Sequence, residues 1–154
     1  MDHTVLHRRL AADLSTPMVY ALLRLRVEAL VVEQGHPYQE LDGLDLQRTT
    51  RHYWLAPPDA IEDPQATLRL EEPADRQFRI SRICATPQAR RQGAMERLLE
   101  AALGEIGDAP CVVDAQPSCV ELFTAFGFVV EGAQSTDGGV PRVPMRRDAS
   151  ARIR

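Results

Sequence analysis

The sequence predicts a mixed α/β fold in a single domain, on three observations. Phe78, Ile80, Ile83 and Ala85 give a β-type apolar run that Thr86-Pro87 closes, because proline restricts the backbone of the residue before it. Met95, Leu98, Leu99, Ala102, Leu103 and Ile106 then recur at spacings of three and four, the stripe of an amphipathic helix. At 154 residues with 44% hydrophobic content, the chain can fill one core and leaves too little for a second independent domain.

The other elements follow in chain order. Thr4 to Leu10 alternates weakly, as a first strand does, and Ser15-Thr16-Pro17 supplies a cap and a first-turn proline for a helix running toward Ala29. Residues 35–50 combine turn residues and acids without periodicity, hence a loop; His52 to Leu55 is a short strand that Pro57-Pro58-Asp59 breaks. Ala66 to Glu71 is the next strand, paired as an antiparallel hairpin with the strand at 78–85 through a turn at Glu72-Pro73-Ala74-Asp75. A basic turn, Arg90-Arg91-Gln92-Gly93-Ala94, leads into the amphipathic helix and puts Gly93 in its first turn. Pro110 to Gln116 is a strand, Pro117 to Phe126 a helix, and Phe128 to Gly132 a strand. The final strand holds Pro141 and Pro144, which lack N–H donors and so place it at an edge or bend it. The domain is bounded at 1–147 with a polar tail at 148–154, and the run from Arg146 to Arg154 reads as polar, fraying tail.

Composition excludes several classes. No apolar run approaches the roughly 20 residues of a membrane span, and the charged start has no signal-peptide core, so a cytoplasmic location is expected. Cys84, Cys111 and Cys119 form no Cys-x-x-Cys pair and suggest neither a zinc site nor a disulfide framework; no metal is expected. A net charge of −4 and a pI near 5.6 argue against nucleic acid, whose backbone would be repelled. All 18 basic residues are arginine, a bias that keeps any one arginine from marking a site by its identity.

The strand, basic turn and helix at 78–106 read either as an ordinary βα turn with solvated arginines or as a site for a phosphorylated ligand. A helix start leaves its first amides unpaired and carries the positive end of the helix dipole. Glycine admits the anion close to the backbone, and Arg90 and Arg91 add charge and bidentate donors. A single glycine is too sparse for a dinucleotide or Walker-type loop, and Cys119 with His52 lacks any local signature of a cysteine hydrolase.

Ile83-Cys84-Ala85-Thr86-Pro87-Gln88-Ala89-Arg90-Arg91-Gln92-Gly93-Ala94-Met95 resembles the signature of the GNAT superfamily of acyl-CoA-dependent N-acyltransferases, a strand and proline followed by Arg/Gln-x-x-Gly-x-Gly/Ala. Leu122 to Phe128 is similar to the superfamily's later helix ending in Gly-Phe, with Gly127 as its stop. The stretch from Leu25 to Asp45 resembles the opening of the ElaA-like branch, as do Arg51-His52, Ala115-Gln116 and Gly139 to Met145, so the likeness runs from about residue 10 to 147.

The resemblance implies a central, mostly antiparallel twisted sheet of six to seven strands, about four flanking helices, and splayed central strands that hold acetyl-CoA. It implies an N-acetyltransferase that moves acetyl from acetyl-CoA to a primary amine by direct attack in a ternary complex. The alternative is a catalytically weakened acyl-CoA sensor, because Met95 stands where the family has Gly or Ala and Phe123 where many members carry a proton-donating tyrosine. By the same resemblance, Ile83, Cys84, Ala85, Arg90, Arg91, Gln92, Gly93, Ala94, Met95 and Phe123 contact the cofactor. An amine arrives protonated, so a base is needed: Glu33 first, then His52, with Asp42 beside them. Gln34, Tyr38, Asp45 and Gln116 would face the acceptor, a small-molecule or peptide amine, and the acids nearby would attract its charge. Without the tyrosine, Cys119 or solvent protonates the leaving thiolate. Pairing of two copies through the proline-bearing final strand is compatible with an edge position.

Overall fold

Ser15 opens the first long helix by accepting the Met18 N–H at 3.2 Å, and α1 (Thr16–Arg26) then continues into a π-helical turn at Val27–Val32. A computed structural model of the chain describes residues 3–72 and 77–148. The hairpin turn expected at Pro73 to Asp75 and the tail from 149 onward lie outside the described residues.

Four strands form an antiparallel run: β1 (Val5–Leu10), β2 (Arg51–Ala56), β3 (Ala66–Glu71) and β4 (Phe78–Ala85). β4 then pairs in parallel with β5 (Cys111–Ala115), which pairs antiparallel with β8 (Val140–Arg147). β8 also carries β6 (Val129–Val130) and β7 (Ser135–Asp137), so the sheet has eight strands rather than six to seven. β7 carries no apolar signal that the sequence could have offered.

Helix α3 (Ala94–Ile106) buries Leu98, Leu99, Ala102 and Ile106 against Leu68, Ile80 and Val113 of the sheet. Each such leucine contributes about 1.5–3 kcal/mol over an exposed one, which is what holds the helix start in place. Gly93 lies just before α3, not in its first turn: it is left-handed at φ 78° and links α3 to a separate short helix α2 (Pro87–Arg91). Thr86 caps α2 by accepting the Ala89 N–H at 3.2 Å, so Thr86-Pro87 both closes β4 and starts a helix. The expected helix at 117–126 splits into a 3-10 turn, Pro117–Cys119, and α4 (Val120–Ala125).

Two expectations about the C-terminal part are corrected. β8 is interior to the sheet despite its prolines, because the Pro144 carbonyl accepts the Glu131 N–H at 2.8 Å just beyond the end of β6 pairing, where no donor from Pro144 is required. Arg146 and Arg147 belong to β8 rather than to a tail; they pair with Val112 and Cys111, and Arg147 is buried.

The β7–β8 hairpin turns on Gly138 and Gly139, both at positive φ, 57° and 85°. A Cβ on Gly138 would meet the Tyr38 Cβ at 2.5 Å, whereas one on Gly139 would meet nothing within 4 Å. Gly139→Ala should therefore lose about 1–2 kcal/mol from backbone strain alone. Gly138→Ala should lose about 1–3 kcal/mol more from the collision with the Tyr38 loop, measured by urea denaturation.

Candidate active site

Pairing between β4 and β5 runs only from Phe78↔Cys111 to Ile80↔Val113, after which the two strands have no further registered pairs. On the other flank of β4 the register jumps from Thr67↔Cys84 to Arg69↔Ser81, so Arg82 and Ile83 together oppose Leu68. Arg82 sits at φ 53°, a left-handed conformation that costs a non-glycine residue of order 1–3 kcal/mol. Its guanidinium repays this locally, with Glu40 at 3.0 Å and Asp42 at 3.2 Å. The bulge turns β4 away from β5.

A cleft of about 320 Å³ occupies the resulting splay. Ile80 to Ala85 form one wall and Val113 to Gln116 the other; Arg90, Met95, Cys119 and Phe123 line it too. At its α3 end, Gly93 offers no side-chain cap and has open space where a Cβ would stand, so the first-turn amides are accessible to an anion. Met95 has both places at once, packed on the main core and lining the cleft. Arg91 and Gln92 are exposed and, like Gly93 and Ala94, are not in the cleft wall; Glu96 is in it, an acid near the anion end.

Phe123 is fully buried and meets Phe128 edge-on at 5.3 Å, which makes the ring a core member with one side toward the cleft. Burial raises the pKa of Cys119 above that of a free thiol. Burial also pushes Cys84 up to about 12, which leaves it an inert thiol. Gln116 donates to Gln34 Oε1 at 2.9 Å, tying β5 to the segment after the π-helical turn, and both residues line the cleft.

A second cavity, about 610 Å³, adjoins the first and shares Ile80, Ser81, Arg82, Asp114 and Arg142 with it. Its floor is a charged network that the sequence did not reveal. Arg26 is buried against Glu40 at 2.6 Å and against Asp45. Arg69 meets Asp42 at 2.7 Å, Asp45 at 3.0 Å and Glu71 at 3.1 Å. Ser81 donates to Glu71 Oε2 at 2.5 Å and accepts from Arg69 Nε at 2.9 Å. Three guanidiniums, of Arg26, Arg69 and Arg82, thus serve four carboxylates.

That network reassigns several expected site residues. Asp45 is buried between Arg26 and Arg69 and lines neither cavity, so it is a structural counter-ion and not an acceptor contact. His52 does not reach either cavity: it is 3% exposed, its Nε2 donates to the Asp45 carbonyl at 2.9 Å, and burial lowers its pKa. Asp42 lines the second cavity; although burial opposes it, hydrogen bonds from Arg69 and the Leu44 N–H hold its pKa at about 2, too low for a base at neutral pH. Glu33 is exposed and bound to Arg90 at 2.9 Å, outside both cavity walls. Tyr38 does line the cleft; its hydroxyl donates to Glu40, and burial pushes its pKa up to about 12.

Because these acids are already paired with arginines, they do not form the open cation trap that their clustering in the sequence suggested. Glu71, Ser81 and Arg142 went unnoticed there, since each becomes visible only once distant strands are brought together.

Three comparisons bear on this site. The model of the Acetyltransferase (GNAT) domain matches residues 69–149, which include β4, the bulge and the start of α3. A UPF0039 protein of Mycobacterium tuberculosis is 47% identical over 151 residues, covering 96% of each chain. An acyl-CoA N-acyltransferase from Pseudomonas aeruginosa superposes with a TM-score of 0.81 at 36% identity, over 94% of this chain and 99% of that one. Escherichia coli ElaA superposes at 0.84 with 26% identity and the same coverage.

Asp42 gives a pH prediction. Its folded pKa of about 2 lies below the ordinary 3.8, so its ionic contribution is complete above pH 4 and is lost as pH falls through 2. Urea titrations between pH 5 and 2 should show a shallower acid loss of stability in Asp42→Asn than in the parent.

Proposed function

The chain belongs to the GNAT acetyltransferase family and has its mixed α/β fold, and from that premise we propose that it transfers an acetyl group from acetyl-CoA to a primary amine in a ternary complex. The observation that carries this reading is the continuity of the β4–β5 splay with the uncapped start of α3. An extended pantetheine arm can add to the free edge of β4 at Ile83 to Ala85, as a peptide strand would. The diphosphate then falls at Gly93 and Ala94, with Arg90 beside it and Arg91 and Gln92 at the rim.

Acetyl-CoA supplies the acyl group as an activated thioester; the chain supplies placement and proton transfer. A backbone N–H at the bulge near Ile83 polarises the thioester carbonyl and holds the developing oxyanion, an effect of about 3 kcal/mol per well-placed donor. The acceptor ammonium first gives a proton to a base. Its nitrogen lone pair then attacks the carbonyl carbon, the C–S bond breaks, and the nitrogen's second proton reaches the departing thiolate through solvent. Cys119 is a poor donor for that last step, because its raised pKa makes transfer to a CoA thiolate of ordinary pKa uphill.

For the base, the geometry favours Glu71 acting through Ser81 over Glu33. Ser81 lines both cavities, where attack would occur, and its hydroxyl already donates to Glu71. Both glutamates are paired with an arginine, but Glu71 lines the second cavity whereas Glu33 lies outside both cavity walls, near the diphosphate end. The alternative reading, a sensor without turnover, is motivated by Phe123, a buried ring with no proton to donate.

Calorimetry with acetyl-CoA and thiol release with a panel of amines test the reading. Acetyl-CoA should bind, and Gln92→Glu should weaken it about tenfold by placing a charge beside the diphosphate. In pH-rate profiles with an accepted amine, Glu71→Gln should lose the basic-group limb and at least about 100-fold in kcat. Glu33→Gln should keep that limb. Binding without thiol release from any amine would support the sensor instead.

A further inference from the structure

Four guanidiniums line the 610 Å³ cavity, and three are already matched: Arg69 to Asp42 at 2.7 Å, Arg79 to Asp114 at 2.8 Å, and Arg82 to Glu40 at 3.0 Å. Arg142 is different. Among the described residues it meets no carboxylate within the 4.0 Å of an ion pair and donates no hydrogen bond. Its guanidinium lies 5.6 Å from the centroid of the Tyr38 ring, and that of Arg82 lies at the same distance. Two cations beside one ring repel each other, and Glu40 and Asp42 both serve Arg82.

The arrangement is held firmly. Arg142 stands on β8 opposite Ser135 of β7, the hairpin presses Gly138 onto Tyr38, and the Tyr38 hydroxyl is committed to Glu40. An arginine kept half-buried, unpaired and on a strand is pre-organised to receive an anion bidentately. It also lines the acyl cleft, so an anion bound there lies next to Ile80 to Arg82, where attack would take place. Glu71 and Asp137 share the cavity, which favours a monoanion over a phosphate dianion.

We propose that Arg142 binds the carboxylate of the acceptor, so that the amine acetylated by this protein belongs to a molecule with the chemistry of an amino acid. The inference rests on the acetyltransferase reading above and adds the substrate class to it. Tyr38 then forms the wall against which the acceptor's carbon frame packs, and Ser81 faces its nitrogen.

The test measures thiol release with free amino acids, the same amino acids as methyl esters, their decarboxylated amines, and O-phosphoethanolamine. Free acids should exceed their esters in kcat/KM by about 10–100-fold, the value of one charge-assisted bidentate contact. In Arg142→Gln that ratio should collapse toward one through a rise in KM, in Arg142→Lys it should recover in part, and calorimetric affinity for acetyl-CoA should stay within about twofold in both. Equal rates for acids and esters in the parent protein would overturn the proposal without recourse to any variant, as would a preference for O-phosphoethanolamine. If acetyl-CoA binds but no amine is turned over, calorimetry with N-acetyl amino acids and their esters decides: tighter binding of the acids supports the proposal, and no difference overturns it. Failure of acetyl-CoA itself to bind would remove the acetyltransferase reading and this inference with it.

Discussion

The bulge at Arg82 is the constraint on which the site depends. A parallel pair would ordinarily continue along β4 and β5, and Ile80↔Val113 would be followed by further rungs. Instead the extra residue opposite Leu68 bends β4, and Arg82 is kept in its left-handed conformation by two carboxylates from the loop after the π-helical turn. The sheet therefore opens where a ligand can enter, and the strand edge it exposes at 83–85 is the edge an extended ligand needs. Strain of a few kcal/mol persists here because the surroundings over-determine it.

Those surroundings are an ionic network that few readers of the chain would place in a core. Arg26, at 1% exposure, and Arg69, at 2%, lie under the second cavity and are satisfied by Glu40, Asp42, Asp45 and Glu71. Such a network adds little net stability over an apolar one, yet removing one partner generally costs about 3–5 kcal/mol because a buried charge is left alone. Its contribution is therefore geometric. It ties the 35–50 loop to β3 and β4, fixes Tyr38 beside the cleft, and presents Ser81 and Glu71 to the adjoining cavity.

Much of the fold was legible because local signals and tertiary burial agree. The stripe from Leu98 to Ile106 is the face that α3 buries, Ser15 is the cap it resembles, and the run at 78–85 is β4 to the residue. The turn at the start of α3 was equally readable, since Gly93 and its flanking residues are contiguous in the chain. The charged network beside the cleft was not. Acids clustered at 40–45 read as an open cation trap, and only folding brings Arg26, Arg69 and Arg82 from three other elements to neutralise them. His52 alternates toward the side of β2 that faces this network, a register that a four-residue strand could not reveal. Pro144 misled for a related reason: whether a missing donor matters depends on where the neighbouring strand ends.

The central claim is that the opening between β4 and β5, together with the start of α3, receives a coenzyme A thioester. Amide hydrogen exchange with and without acetyl-CoA tests it most directly. The account predicts added protection confined to peptides spanning residues 81–85 and 93–96, with β1, β2 and the β6 edge unchanged. Protection elsewhere, or none at 81–85 while acetyl-CoA is demonstrably bound, would contradict it.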